Sequence, residues 1–159
     1  MLARTHGDIL KIYDSVDTVK RLSDRIIGIG PINIIGLDGI LSWFPGIGII
    51  YSVGASLFLL GQGLRARVSP TTLGFSLIIL IANDLPEAFA LLPVIGEMGA
   101  LINTLFQGHL YAAHIIQKDI DRTIYIETSA AHARRSGSHT QNVAALRATK
   151  GKKRIVYLG

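Results

Sequence analysis

The chain has 159 residues, a formal net charge of +5 at neutral pH and no cysteine. The lack of cysteine excludes disulfide bonds, thiolate metal ligands and a cysteine nucleophile. Charged residues make up 17% of the chain and the mean hydropathy is +0.42. Soluble domains average about a quarter charged residues, so the composition favours a membrane protein over a basic globular domain.

The first predicted element is an amphipathic helix over residues 8–25. Its apolar residues recur at helical spacing, with acids and bases on the other face. Such a helix either packs on the rest of the protein or lies in the membrane interface, and residues 1–25 are assigned as an interfacial segment. The N-terminus lacks the apolar core of a signal peptide, and its acids argue against a mitochondrial address.

Residues 26–117 are poor in charge and predict a membrane domain of two apolar helical hairpins. Prolines and charges divide this stretch into four helices, at roughly 31–44, 46–64, 71–92 and 94–117. Each is marginal for a hydrocarbon core about 30 Å thick, so the helices either span the bilayer or re-enter it. The expected class is therefore an all-α membrane protein with four spanning or re-entrant helices.

Proline and glycine mark the predicted hairpin turns, and small residues mark a predicted packing stripe. Proline removes a backbone donor and glycine permits a sharp reversal. Small residues at every fourth position let helices approach closely in lipid. The turn residues are Pro45, Gly46, Gly48, Pro93 and Gly96, and the stripe residues are Ser52, Ser56, Ala100, Thr104 and Gly108.

Residues 118–159 are predicted to form a polar, basic, extended tail outside the membrane. The first part, to about Glu127, can continue the fourth helix. The remainder has too few large apolar residues for a core, so we expect it to be disordered unless it lies on a partner. The terminal "RIVYLG" has strand character and suits addition to a partner's sheet. The bases predicted to dock are Arg134, Arg135, Arg147, Lys150, Lys152, Lys153 and Arg154.

Two glycine and proline frames carry a family resemblance. The stretches "IGPINIIGLDGILSWFPGIG" and "LLPVIGEMGALINTLFQGHLYAAHIIQK" resemble the small, mostly bacterial membrane-protein family known as domain of unknown function 4112, over residues 17–125. Matching positions are Leu37, Asp38, Pro45, Gly46 and Gly48 in the first frame, with Pro93, Val94 and Gly96 in the second.

The chain also departs from the pattern of that family. Ile49 stands where an acid usually follows the first frame, and Glu97 replaces the aspartate of the second. The acid expected before the second proline is displaced to Asp84 or Glu87. The resemblance implies a membrane protein and no particular activity.

Acids within apolar sequence are the main candidates for chemistry. An ionisable group inside a membrane is energetically costly, so its presence needs an explanation. The acids concerned are Asp38, Asp84, Glu87 and Glu97, and two explanations are open. They form a proton or cation path, or they lie near helix ends, where an acid complements the helix dipole.

Other chemistry has weaker support in the sequence. His109 and His114 are five residues apart, which does not suit a helical metal pair; contact of one histidine with a pigment or haem is the alternative. No catalytic constellation is apparent, so we expect no enzyme activity, no catalytic or metal residues and no cofactor other than bound lipid.

These patterns predict a non-catalytic accessory subunit of a larger membrane complex, docked through its basic tail. The expected partners are lipids and other membrane subunits rather than nucleic acid. The bases place both termini on the cytoplasmic side of a multi-pass protein of the cell inner membrane, with the mitochondrial inner membrane less favoured. The alternatives are a small proton or cation channel or transporter, and a membrane-shaping hairpin protein.

Overall fold

A computed structural model describes residues 1–24, 27–29, 32–35, 47–89 and 108–159. This part of the chain is mostly helical, as predicted. Within it, no helix is both long enough and apolar enough to cross a membrane. In chain order the elements are α1 (His6–Asp24), β1 (Ile27–Ile29), β2 (Ile32–Ile35), α2 (Ile47–Arg65), α3 (Pro70–Phe89), α4 (Gly108–Asp121), β3 (Thr123–Ile126), α5 (Ala130–Arg135), α6 (Ser138–Ala148) and β4 (Arg154–Tyr157).

Helix α1 confirms the amphipathic helix predicted at the N-terminus. The Thr5 hydroxyl accepts the Asp8 N–H at 3.1 Å, and the Asp8 carboxylate accepts the Thr5 N–H at 3.2 Å, which is a reciprocal cap of the first turn. Ile9, Ile12 and Val16 are buried, and the helix packs against α4. The protein itself therefore covers this apolar face.

Helix α4 lies at the centre of the described fold, in contact with α1, α2 and α3. Its Ala112 and Ala113 are fully buried, and small side chains there allow the other helices to approach closely. Leu59 from α2 and Leu80 from α3 complete the core beside Ile116. Helices α2 and α3 form a hairpin joined at their polar ends, near Arg65 and Pro70.

The helix predicted over residues 31–44 is wrong in its first part. Strands β1 and β2 pair antiparallel there, with Ile27 opposite Ile35 and Ile29 opposite Ile32. The run "IIGIGPINII" is rich in β-branched isoleucine, which favours strands. Residues 36–46 and 90–107 lie outside the described part, with most of the predicted turns. Helices α2 and α3 agree with the predicted ranges 46–64 and 71–92 to within a few residues.

The disordered, extended tail is also a wrong prediction. The fourth helix ends at Asp121, β3 follows it, and α5, α6 and β4 are folded. Strand β4 pairs in parallel with β3, Thr123 opposite Arg154 and Ile126 opposite Tyr157. Leu158 is buried in the same core as Tyr125. Residues 123–159 are here called the C-terminal module. The surface on which this module is ordered belongs to the same chain.

The N-terminal segment and the end of the C-terminal module both contact the polar end of the α2–α3 hairpin. The Ala3 N–H donates to the Arg65 carbonyl at 3.0 Å. The Arg67 guanidinium donates to the carbonyls of Tyr157, at 2.5 Å, and Leu158, at 3.2 Å. In return Arg154 donates to the Arg67 carbonyl at 2.6 Å. The three hydrogen bonds of Arg67 with Arg154, Tyr157 and Leu158 are here called the arginine clamp. They hold β4 against residues 65–70.

Asp8 and Glu127 are two carboxylates that make the stability of the fold depend on pH in the acidic range. The backbone N–H of His6 donates to Glu127 at 2.5 Å, and this bond, with one from the His6 ring, lowers the pKa of Glu127. Backbone N–H groups of Arg4 and Thr5 lower the pKa of Asp8 in the same way. A lowered pKa in the folded state stabilises the fold above the ordinary value, and this contribution disappears as the pH falls through the lowered pKa.

We therefore expect the melting temperature to fall as the pH drops below the ordinary pKa of glutamate, 4.5. The variant Glu127→Gln is expected to flatten this dependence, as measured by thermal unfolding at a series of pH values. Asp14→Asn is the control, because Asp14 is an exposed carboxylate of α1. An equal effect of both substitutions would contradict the assignment.

Candidate functional site

Helices α2 and α3 carry polar side chains on their buried faces and large apolar side chains on their exposed faces. Ser52, Ser76 and Asn83 are fully buried, whereas Ile50 is 77% exposed and Ile78 is 63% exposed. A helix of a water-soluble protein buries its large apolar side chains, whereas α2 and α3 bury only a few, such as Leu59 and Leu80, and expose many. The buried polar groups must therefore find partners inside the fold.

Ser52, Asn83 and Asp84 form one hydrogen-bonded group between α2 and α3. The Ser52 hydroxyl donates to Asp84 Oδ1 at 2.7 Å, and Asn83 Nδ2 lies 3.3 Å from the same hydroxyl. On its other side, Asn83 Oδ1 accepts the Gly108 N–H at 2.9 Å. Since a backbone N–H can only donate, this bond fixes the orientation of the Asn83 amide.

His109 enters this group from α4 and is fully buried. Its Nε2 lies 3.0 Å from the Ser52 carbonyl, 3.1 Å from the Ser56 hydroxyl and 4.0 Å from Asp84 Oδ1. The Tyr51 ring meets the imidazole edge-on at 6.3 Å. Because a carbonyl only accepts, we assign a proton to Nε2. Ser52, Ser56, Asn83, Asp84 and His109 together are called the polar core below.

The polar core contains serine, histidine and aspartate, but their geometry is not that of a hydrolytic triad. In a triad the carboxylate holds one imidazole nitrogen and the serine faces the other. Here Asp84 and both serines lie on the side of Nε2, whose proton is directed at the Ser52 carbonyl. That nitrogen therefore cannot take a proton from Ser56. Over the described ranges, no three histidine, aspartate or glutamate side chains are grouped to hold a metal.

The polar core includes several residues that the sequence suggested separately. Asp84 was a candidate ion-path acid, Ser52 and Ser56 belonged to the packing stripe, and Gly108 supplies the amide that binds Asn83. The sequence did not predict their partnership with His109, and His114 is exposed. The Ser52 and Ser56 spacing of four was the available signal, since it places both hydroxyls on one helix face.

Other predicted site residues lie elsewhere. Gly48 is in the first turn of α2 and Glu87 is in the last turn of α3. Of the docking bases, Lys152 and Arg154 hydrogen-bond within the chain, whereas the other five are exposed. The predicted residues outside the described part are Asp38, Pro45, Gly46, Pro93, Gly96, Glu97, Ala100 and Thr104.

Comparison with known proteins identifies the family. A family model described as "Domain of unknown function (DUF4112)" matches residues 12–120, a range that includes most of α1, all of α2 and α3, and nearly all of α4. No curated protein and no solved structure matches the chain. Since the matched range covers roughly two-thirds of the chain and includes the polar core, the chain belongs to the DUF4112 family.

Proposed function

We propose that the protein works in a membrane as a non-catalytic helical subunit whose α2–α3 hairpin contacts the acyl chains of lipids. The main observation behind this proposal is that these two helices bury polar side chains and expose large apolar ones. Large apolar side chains line the outer surface, among them Ile50, Leu57, Phe75 and Ile78, each more than half exposed. Large exposed apolar surfaces on a protein mark sites of interaction or membrane contact.

The charges and the polar core support the same placement. Arg65 and Arg67 lie at the polar end of the hairpin, where basic residues flank a membrane segment on its cytoplasmic side. In a membrane, ionisable side chains such as Asp84 face the interior of the helix bundle. A hairpin that enters the bilayer from one side, without crossing it, accommodates both helices and keeps the predicted inner-membrane location.

Carbonate washing of native membranes tests this proposal, because it releases peripheral proteins and retains embedded ones. The wild-type chain is expected to stay in the pellet. The triple variant Ile50→Gln, Leu57→Gln, Ile78→Gln is expected to move to the supernatant with its helical circular dichroism unchanged, because these exposed side chains are not part of the core.

A matched control changes three exposed leucines of the N-terminal segment and α1. Leu2→Gln, Leu10→Gln, Leu22→Gln removes a similar exposed apolar surface outside the α2–α3 face, so this variant should remain embedded. Release of the wild-type chain by carbonate, or equal release of both triple variants, would reject the proposed lipid contact.

A role as accessory subunit predicts that the chain migrates with a larger assembly. Native electrophoresis in mild detergent, followed by mass spectrometry, is the appropriate measurement. Because the arginine clamp holds the C-terminal module on its own chain, docking through a free tail is no longer the favoured mode. Migration as a monomer or small oligomer would exclude the subunit role without affecting the membrane assignment.

Proton or cation conduction is the second candidate function, and the polar core favours it. Ser52 and Asn83 each lie thirteen residues from the polar end of their helix, which places them about 20 Å along the hairpin at 1.5 Å per residue. Asp84 and His109 are therefore ionisable groups far from that end, in contact with three hydroxyl or amide side chains. Chains of such groups carry protons in membrane transporters.

Liposomes containing the purified chain test this second function. A proton leak above that of protein-free liposomes is expected, and Asp84→Asn and His109→Gln should each remove it. His114→Gln is the control, because this histidine is on the same helix but exposed. A wild-type leak equal to that of empty liposomes would exclude conduction and leave the polar core with a packing role.

A further inference from the structure

We propose that the exposed bases of the C-terminal module form a binding surface for anionic phospholipid headgroups, an inference that rests on the membrane location proposed above. Residues 128–159 contain seven lysines and arginines and neither aspartate nor glutamate. A surface of one sign attracts the opposite charge and repels its own. The headgroups of the membrane that holds the α2–α3 hairpin are the anions closest to it.

The seven bases divide into two groups with different surroundings. Lys152 Nζ donates to the carbonyls of Asp121 and Thr123, at 2.7 and 3.2 Å. Arg154 donates to Thr123 Oγ1 at 2.9 Å and pairs with Asp119 at 3.4 Å. Because these two bases contact their own chain, we leave them out of the proposed headgroup surface.

The remaining five bases form the basic surface: Arg134, Arg135, Arg147, Lys150 and Lys153. All five are exposed. Throughout the part of the chain that the structure describes, their side chains have no carboxylate partner at salt-bridge distance. Their charge is therefore available to an external anion.

The arginine clamp attaches the module that carries these five bases to the α2–α3 hairpin. Arg67 belongs to the segment that joins α2 to α3, and it holds the carbonyls of Tyr157 and Leu158. The module is thus attached at the end where the apolar hairpin leaves the lipid. Headgroups at this level are within reach of charges on the module, because electrostatic attraction in physiological salt extends over about 8 Å. Each base near an anionic membrane strengthens binding several-fold.

Native mass spectrometry of the full chain in nonionic detergent tests this proposal. The chain is mixed with equal amounts of phosphatidylglycerol and phosphatidylcholine, and the retained lipids are counted. Wild-type protein is expected to retain phosphatidylglycerol preferentially, with a preference that weakens as salt rises. The variant Arg134→Gln, Arg135→Gln, Lys150→Gln is expected to lose that preference by about tenfold or more.

A control with the same loss of charge separates a local surface from a general effect of net charge. The variant Lys11→Gln, Lys20→Gln, Arg21→Gln removes three bases of α1, away from the residues that form the arginine clamp, and should keep the preference within about twofold, a small effect beside that of three surface bases. Circular dichroism checks that both variants fold. Equal retention of the two lipids by wild-type protein, or an equal loss in both variants, would overturn the proposal.

A negative result for headgroup recognition can be distinguished from a failure of the proposed membrane location. Carbonate washing measures insertion of the α2–α3 hairpin, whereas lipid retention measures recognition of the headgroup. A chain that stays in the carbonate pellet but retains both lipids equally is embedded without a headgroup site. A chain that carbonate releases, yet that prefers phosphatidylglycerol through the five bases, binds the membrane surface through charge alone.

Discussion

Replacing Gly108 with alanine is expected to lower the free energy of unfolding by about 2–3 kcal/mol, the upper part of the range for overpacking in a core. A Cβ at this position would lie 2.4 Å from the Asn83 Cβ and 2.6 Å from Asn83 Oδ1. The Cβ contact involves the base of a buried side chain, so helices α3 and α4 must separate. The separation would also lengthen the hydrogen bond from the Gly108 N–H to Asn83.

Chemical unfolding in detergent measures this loss, and two other glycines supply the control. Gly54 and Gly74 lie inside α2 and α3, and a Cβ at either meets nothing within 4 Å. Alanine there should stabilise the helix by about 0.5–1 kcal/mol, because glycine is a poor helix former. Destabilisation of the same size at all three positions would mean that helix approach at Gly108 is not the cause.

Replacing Arg67 with alanine is expected to release β4 from the polar end of the α2–α3 hairpin. The substitution removes the two hydrogen bonds from the guanidinium to the carbonyls of Tyr157 and Leu158. Charged hydrogen bonds contribute about 1.5–3 kcal/mol each. Hydrogen exchange at the amides of β4 should therefore accelerate by about tenfold or more, whereas the amides at the centre of α4 should keep their protection.

Arg65→Ala is the matched control for the clamp. Arg65 is exposed and donates to Gln62 at 3.1 Å and to the Met1 carbonyl at 3.3 Å, so its loss should leave β4 protected. Arg67→Lys keeps the charge but removes the planar fork that reaches two carbonyls, and it should give an intermediate rate. Unchanged exchange in Arg67→Ala would show that strand pairing alone holds β4.

Local patterns in the sequence predicted α1, α2 and α3 well. The period of Ile9, Ile12 and Val16 is a direct consequence of helix geometry, and these residues are buried as that period requires. The prolines and charges that bound α2 and α3 also act locally. The sequence of the polar core likewise showed small residues on one face of α2, since Ser52 and Ser56 are four residues apart.

The remaining features depend on contacts between distant residues, which no local pattern contains. Ser56 and His109 are separated by 53 positions, so nothing near either residue indicates that they meet. The C-terminal module lacks a core of its own, and composition alone indicated disorder. Its order comes from Leu158 and Tyr125, which join a core built by the helices. The apolar run that contains Ile32 and Ile35 is compatible with either a buried helix or a strand. The pairing of β1 with β2 selects the strand.

The arginine clamp also sets an order for folding during synthesis. Arg67 and Tyr157 are 90 positions apart, so the hairpin has left the ribosome long before its guanidinium can find β4. Contacts between such distant residues form late, because a long loop must close first. Until β4 has been synthesised, β3 lacks the strand with which it pairs. The nascent chain therefore exposes an unpaired β3 edge beside an apolar hairpin, the kind of intermediate that chaperones recognise.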